Sequence, residues 1–253
     1  YYSLMLSSLL GMFLLVSSND LMIFFLGLEL MTLPVFGLVG IKIHQVRRSE
    51  AAIKYLVLGA LSTGIFLMGV AFAYGASGSL DISDVRNTLA AGESTYALLG
   101  AVFMLVGVCF KVSIFPFHAW TPDVYEGAPT PITAFMSVCV KISAFVGAIR
   151  IFGEITNIGG FNLTNTLAIF AAMTIIVGNI LAVTQTNVKR ILAYSSIANA
   201  GFMLLAFIGK NPEYNLLVYA SIYMVGNLMV FGVMSALRPS GHHDETMLLD
   251  EFK

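Results

Sequence analysis

About eight stretches of this 253-residue chain are too apolar and too long for a water-exposed fold. They run over 1–17, 20–41, 51–74, 95–120, 129–152, 165–184, 191–209 and 214–237. A helix needs about 20 mostly apolar residues to cross the hydrocarbon of a bilayer. Inside that hydrocarbon every backbone N–H and C=O must be satisfied internally, so only helices and closed barrels span it. A barrel would need alternating segments of about 9–11 residues, and no period of two competes with the continuous apolar runs. The expectation is therefore an all-α integral membrane protein with about eight transmembrane helices.

Composition agrees. The chain is 58% hydrophobic and 11% charged, with a mean hydropathy of +0.87. Soluble domains are about 45–50% apolar and about 25% charged, so an ordinary soluble enzyme is excluded. Disorder, which needs low hydrophobicity and high charge, is excluded too. A net charge of −1 gives no basic excess for nucleic acid. Cys109 and Cys139 lie in apolar runs and make neither a disulfide framework nor a zinc spacing. The chain opens on Tyr1 inside an apolar run, without the basic region of a signal peptide, and closes on a polar stretch over 238–253. A fragment of a longer protein is the expectation.

Connections between spans are short except 75–94, which carries Asp81, Asp84, Arg86 and Glu93. Alternating sides puts Lys42, Arg47, Arg48, Lys189, Arg190, Arg238 and Lys253 together, against Arg86, Arg150 and Lys210. The richer side reads as cytoplasmic, or its organelle equivalent, and the Lys189–Arg190 pair as part of that topology signal.

The fourth span carries Pro116, followed by Pro122, Gly127, Pro129 and Pro131. Proline lacks an N–H and crowds the preceding turn, so the carbonyl of Val112 loses its helical donor. A broken helix at membrane depth and a simple kink between packed helices both fit. Broken spans are tolerated only where protein or water re-satisfies the backbone, and in transporters they mark the pathway.

Four ionisable residues fall within spans: Glu29, Lys54, Lys111 and Lys141. A charge at mid-bilayer costs several kcal/mol or more. Glu29 and Lys141 sit midway along their spans, and Lys111 adjoins the break. Glu29 with Lys111 is either a proton-handling pair or a static ion pair holding helices in register. Lys141 has no carboxylate in its own span. Lys54, in the first turn of its helix, can snorkel to the interface. His118, just after Pro116, suits a proton relay or a bond to a freed carbonyl. Trp120 and Tyr125 fit an interfacial aromatic belt, and Asp123 and Glu126 a solvated turn. Asn179 and Asn227 are candidates for interhelical bonds or for lining a wet path. His242-His243-Asp244-Glu245 lacks further spaced ligands and is rejected as a metal site. There is no glycine-rich nucleotide loop, no cysteine cluster for iron–sulfur and no paired intramembrane histidines for haem.

Phe110-Lys111-Val112-Ser113 and the run from Phe115 through His118-Ala119-Trp120-Thr121-Pro122-Asp123-Val124-Tyr125-Glu126-Gly127 to Pro131 closely resemble the signature of the subunit N family of respiratory complex I, the proton-translocating NADH:quinone oxidoreductase. Gly27-Leu28-Glu29-Leu30 with Leu33-Pro34, Glu50-Ala51-Ala52-Ile53-Lys54-Tyr55, and Lys189-Arg190-Ile191-Leu192-Ala193-Tyr194-Ser195-Ser196-Ile197-Ala198 agree. The Trp120–Tyr125 run favours subunit N over the related antiporter-like subunits and the multisubunit cation/proton antiporters.

That resemblance implies an antiporter-like bundle of fourteen helices built on two inverted five-helix repeats, each with one broken helix. Residues 1–152 would be the first repeat, 153–237 part of the second, and 238–253 a polar cytoplasmic-side loop or tail. It implies that Glu29, Lys111 and Lys141 carry protons, with Lys54 and His118 secondary. Separating Glu29 from Lys111 would send a proton toward Lys141. Moving one charge against 100 mV requires about 2.3 kcal/mol. No redox cofactor is implied in this chain; NADH, FMN, iron–sulfur clusters and quinone would belong to other subunits. The implied partners are other membrane subunits of complex I, the lipid bilayer and protons, with no nucleic acid, most naturally in a bacterial inner membrane. A cation/proton antiporter subunit and a structural scaffold without its own proton path are the alternatives. Asn199 stands where this family commonly has histidine, and asparagine cannot titrate.

Overall fold

A computed structural model of the chain describes residues 1–41, 46–92, 94–153 and 155–236, the side chains of 46–48 excepted. Lys42, Glu93, Arg238, His242, His243, Asp244, Glu245 and Lys253, and the side chains of Arg47 and Arg48, lie outside this description.

The described residues are mostly helical. In order they form α1 (Tyr2–Ser17), α2 (Leu21–Val39), α3 (Val46–Ser77), α4 (Ile82–Ala91), α5 (Thr95–Lys111), α6 (Trp120–Gly127), α7 (Thr130–Phe135), a π-helical turn (Met136–Val140), α8 (Lys141–Phe152), α9 (Leu163–Val183), α10 (Val188–Leu205) and α11 (Pro212–Ala236). A minimal hairpin pairs β1 (Asn157–Ile158) with β2 (Phe161–Asn162).

Helix starts follow from short polar side chains. Asp20 accepts from Met22 N and Ile23 N at the head of α2, and Asp81 accepts from Ser83 N at the head of α4. Ser94, Asn162 and Asn187 do the same for α5, α9 and α10. Each satisfies donors that the first turn leaves orphaned. The long 75–94 connection contains α4, which ends on Gly92 in the left-handed region.

Six helices among the described residues are long and apolar enough to cross a membrane, or seven if α4 and α5, whose axes meet at 118°, count as one bent crossing. This is somewhat below the eight expected. The fourth expected span divides, leaving α5 with 17 residues, and α1 has 16. Apolar side chains such as Ile176, Ile180, Leu217 and Ile222 stand exposed on α9 and α11, as a multi-pass membrane protein allows.

Packing is close where small residues meet. A Cβ on Gly27 would stand 2.6 Å from Leu15 N and 2.9 Å from Gly11 O. The helices of α1 and α2 therefore touch backbone to backbone, the geometry that small residues permit between membrane helices. Gly27→Leu should force them apart and lower the thermal midpoint of the detergent-solubilised protein, by an overpacking cost of about 1–3 kcal/mol. An unchanged midpoint in a thermal-shift scan refutes that contact.

Candidate functional site

The break in the fourth span is a capped end followed by eight non-helical residues. After Lys111, Ile114 N donates to Cys109 O at 2.8 Å and Ser113 N to Phe110 O at 3.1 Å. Those two bonds, with Ser113 at φ 65°, are the Schellman pattern, in which glycine is the usual residue. Serine is put to use here: its hydroxyl accepts from Thr121 at 2.6 Å, across the break. Phe115 N, freed from the helix, donates to Thr174 Oγ1 of α9 at 3.0 Å. Trp120 Nε1 donates to Phe110 O at 3.0 Å. Protein groups thus satisfy the broken backbone, as hydrocarbon surroundings require. A simple kink is excluded.

The capped end delivers Lys111, buried, to α2 and α3. Its Nζ donates to Thr32 Oγ1 and to Thr63 Oγ1, both at 3.3 Å. Thr63 in turn donates to Glu29 Oε1 at 2.7 Å. So the structure does bring Glu29 and Lys111 together, and a threonine hydroxyl links them. Neither Thr32 nor Thr63 is foreshadowed in the sequence.

Lys141 occupies a second buried site. The π-helical turn precedes it. Its Nζ donates to Ser196 Oγ at 2.6 Å and to Ser196 O at 2.9 Å. Ser196 Oγ lies 2.8 Å from Tyr223 OH, and Tyr223 OH donates to Ser137 O at 3.1 Å, inside the π turn. The phenol has one hydrogen, and the carbonyl can only accept it. With that hydrogen on the carbonyl, the Ser196 hydroxyl donates to Tyr223 and accepts from Lys141, and Tyr125 also bonds Ser196. The network is directed from ammonium to carbonyl, and its acceptors for Lys141 are neutral.

Lys54 is elsewhere. It is 41% exposed and pairs with Glu50 at 2.7 Å and with Asp123 at 2.8 Å. With Ala51, Glu126 and Gly127 these residues line an open cavity. Arg190 completes the cluster, donating to Asp123 Oδ1 at 2.8 Å, Glu126 Oε2 at 2.9 Å and Gln185 Oε1 at 3.0 Å. Partial burial pushes the Asp123 carboxyl up, but the hydrogen bonds from Lys54 and Arg190 outweigh it and hold that carboxyl below its ordinary range. Lys189 is buried and donates to Ala128 O, just past the end of α6, at 2.9 Å. The Lys189–Arg190 pair is therefore more than a topology signal, and Asp123 and Glu126 more than a solvated turn. Together they clamp α6.

Other expectations are corrected. Trp120 and Tyr125 are buried, not an interfacial belt; Trp120 stacks between Tyr55 at 4.7 Å and Phe110 at 5.5 Å. The amides of Asn179 and Asn227 donate within their own helices, to Ile175 O and Tyr223 O. Asn199 does bond between helices, accepting from Tyr219 OH at 2.7 Å. His118 lies half-buried in the break, its ring tilted against Phe115 at 5.5 Å. Arg150 does not stand free as a loop charge: it donates to Val16 O and to Asn19 Oδ1, joining α8 to the end of α1.

A family model described as NADH:quinone oxidoreductase/Mrp antiporter, TM, matches residues 18–251. NADH-quinone oxidoreductase subunit N of Moorella thermoacetica is 42% identical over 97% of this chain, and that of Laribacter hongkongensis 41% identical over all of it. In each case 52% of the relative is covered, so the chain spans about half the length of the curated relatives it matches. Among solved structures, a chain of respiratory complex I from Thermus thermophilus superposes with a TM-score of 0.79 at 39% identity, over 92% of this chain and 51% of that one. A chain of the Mrp complex from Dietzia shares the fold, with a TM-score of 0.84 at 24% identity, over 94% and 45%.

Proposed function

The chain belongs to the NADH:quinone oxidoreductase/Mrp antiporter transmembrane family, and from that premise we propose that it is part of a proton-translocating membrane subunit of a bacterial NADH:quinone oxidoreductase. The observation that carries the reading is the pair of buried lysines at the two breaks in helical regularity: Lys111 at the capped end of α5, Lys141 after the π turn. A buried lysine is expensive in hydrocarbon and calls for a use. The 42% identity to a subunit N supports the assignment to complex I over free-standing cation/proton exchange.

In this reading the proton path runs from Glu29 and Lys111 to Lys141, with Lys54 and His118 in secondary roles. Residues 1–152 form one helical repeat, 153–237 part of an inverted second, and 238–253 a cytoplasmic-side segment. The chain holds no redox cofactor. NADH oxidation and quinone reduction take place in partner subunits, and a change in those subunits alters the Glu29–Lys111 link. The membrane is the bacterial inner membrane.

The test is Lys111→Ala in the full-length subunit within its complex. NADH:quinone reductase activity and proton uptake into sealed vesicles are measured, with assembly checked by native gel. An assembled complex in which both fall below about half of wild type supports a coupled path through a buried charge. Normal values for both leave this subunit a scaffold. Proton uptake that depends on Na⁺ or K⁺ and not on NADH points to the antiporter function instead.

A further inference from the structure

Thr63 has one hydrogen and more claimants than it can serve. Its Oγ1 stands 2.7 Å from Glu29 Oε1, 3.0 Å from Gly59 O one turn back in α3, and 3.3 Å from Lys111 Nζ. A hydroxyl offers one donor and two lone pairs. Lys111, with only hydrogens to give, takes a lone pair. The single hydrogen is left to the Glu29 carboxylate or the Gly59 carbonyl. With Glu29 ionised, the charge-assisted bond is the stronger of the two. Drawing the hydrogen toward the carboxylate also polarises the oxygen and strengthens its hold on Lys111.

Protonating Glu29 inverts the arrangement. A carboxylic acid has a hydrogen to place, and Thr63 Oγ1 is its neighbour at 2.7 Å. The threonine hydrogen then turns to Gly59 O, already within bonding distance. Thr63 now spends its second lone pair on Glu29, and its bond from Lys111 loses the carboxylate's polarisation. No backbone movement is needed, only rotation of one O–H. Thr32 also accepts from Lys111, but its hydrogen goes to Leu28 O in its own helix at 2.5 Å, so it reports no carboxylate.

We propose that the Thr63 hydroxyl is the switch that passes the protonation state of Glu29 to Lys111. It is a positioning residue, acting through its two neighbours. The proposal rests on the reading above that Glu29 and Lys111 lie on a proton path.

The experiment is a double-mutant cycle in the full-length subunit within its complex, reading proton uptake per NADH oxidised in sealed vesicles, with assembly followed on native gels. Thr63→Val keeps the branched shape and removes the bonds to Glu29, Gly59 and Lys111; uptake should fall about fivefold. Thr63→Ser, which restores the hydroxyl, should recover most of it. Glu29→Gln should fall by a similar factor, and adding Thr63→Val to it should cost nothing further. Ser62→Ala, which loses a buried bond to Gly107 O of α5, should behave as wild type. Should Thr63→Val fail to assemble, Thr63→Ala carries the cycle. Wild-type uptake in the Thr63 variant, failure of serine to rescue, or losses that multiply in the double variant each overturn the switch while Glu29 keeps its place on the path. Unchanged uptake in Glu29→Gln overturns the path itself, and the switch with it.

Discussion

On the proposed proton path, Lys141→Ala should leave an assembled complex whose proton uptake and coupled quinone reduction are lower by about tenfold or more, a barrier increase of about 1.4 kcal/mol or above. The expectation follows from how the amine is held. Two oxygens of Ser196 take its hydrogens, and both are neutral. The Ser196 hydroxyl is committed in turn to Tyr223, and Tyr223 to the Ser137 carbonyl in the π turn. A lysine held by dipoles can lose its proton without stranding a buried carboxylate beside it. An ammonium locked to a carboxylate would leave an unpaired buried charge on deprotonation, which is strongly unfavourable.

Lys141→Arg separates this role from a static one. Guanidinium does not deprotonate in proteins. It supplies a fixed positive charge and donors for Ser196, but no transferable proton. If Lys141 carries protons, arginine fails as alanine does. Recovery of pumping by arginine, in a complex that assembles normally, assigns Lys141 a structural charge and removes it from the path.

The large features of the fold are legible in the sequence because they depend on local rules. Apolar length marks the helices, and Pro116 marks the broken span. The site is legible only in its charges. Glu29, Lys111 and Lys141 announce themselves by being charged where charge is costly. Thr63 does not. A threonine in a membrane helix ordinarily bonds its own preceding turn, and Thr63 does that too, to Gly59. Its second role depends on partners 34 and 48 positions away, which no local pattern encodes. Ser196 is hidden in the same way, 55 positions from Lys141.

The misread charges are those at the ends of helices. Counting Lys189 and Arg190 as loop charges uses their sign and ignores their reach. Arginine can serve two carboxylates at once, and Arg190 does so with Asp123 and Glu126. Trp120 and Tyr125 follow from the same cause. An aromatic pair beside a break reads as an interfacial belt until α6 buries both, with Trp120 stacked between Tyr55 and Phe110.

That clamp yields the second large effect. Arg190→Gln removes two charge-assisted bonds from α6 and leaves Asp123 with Lys54 alone as its cation among the contacts described. Bonds to charged groups contribute about 1.5–3 kcal/mol each when buried, and partial exposure of all three side chains reduces this. A net loss of about 1–3 kcal/mol is expected, seen as a lower thermal midpoint and a smaller assembled fraction on native gels. Arg190→Lys, which keeps the charge and loses the planar fork, should fall between. The acid dependence has a definite sign. The Asp123 carboxyl is held below its ordinary range, with burial opposing and Lys54 and Arg190 prevailing. A depressed carboxyl stabilises fully above its unfolded value, about 3.9, and loses that contribution as pH falls through its folded value. The midpoint gap between wild type and Asp123→Asn should therefore be constant from neutral pH down to about 5 and close only below about 4. A gap that instead closes between pH 8 and 6 would show that groups other than this carboxylate hold α6 in place.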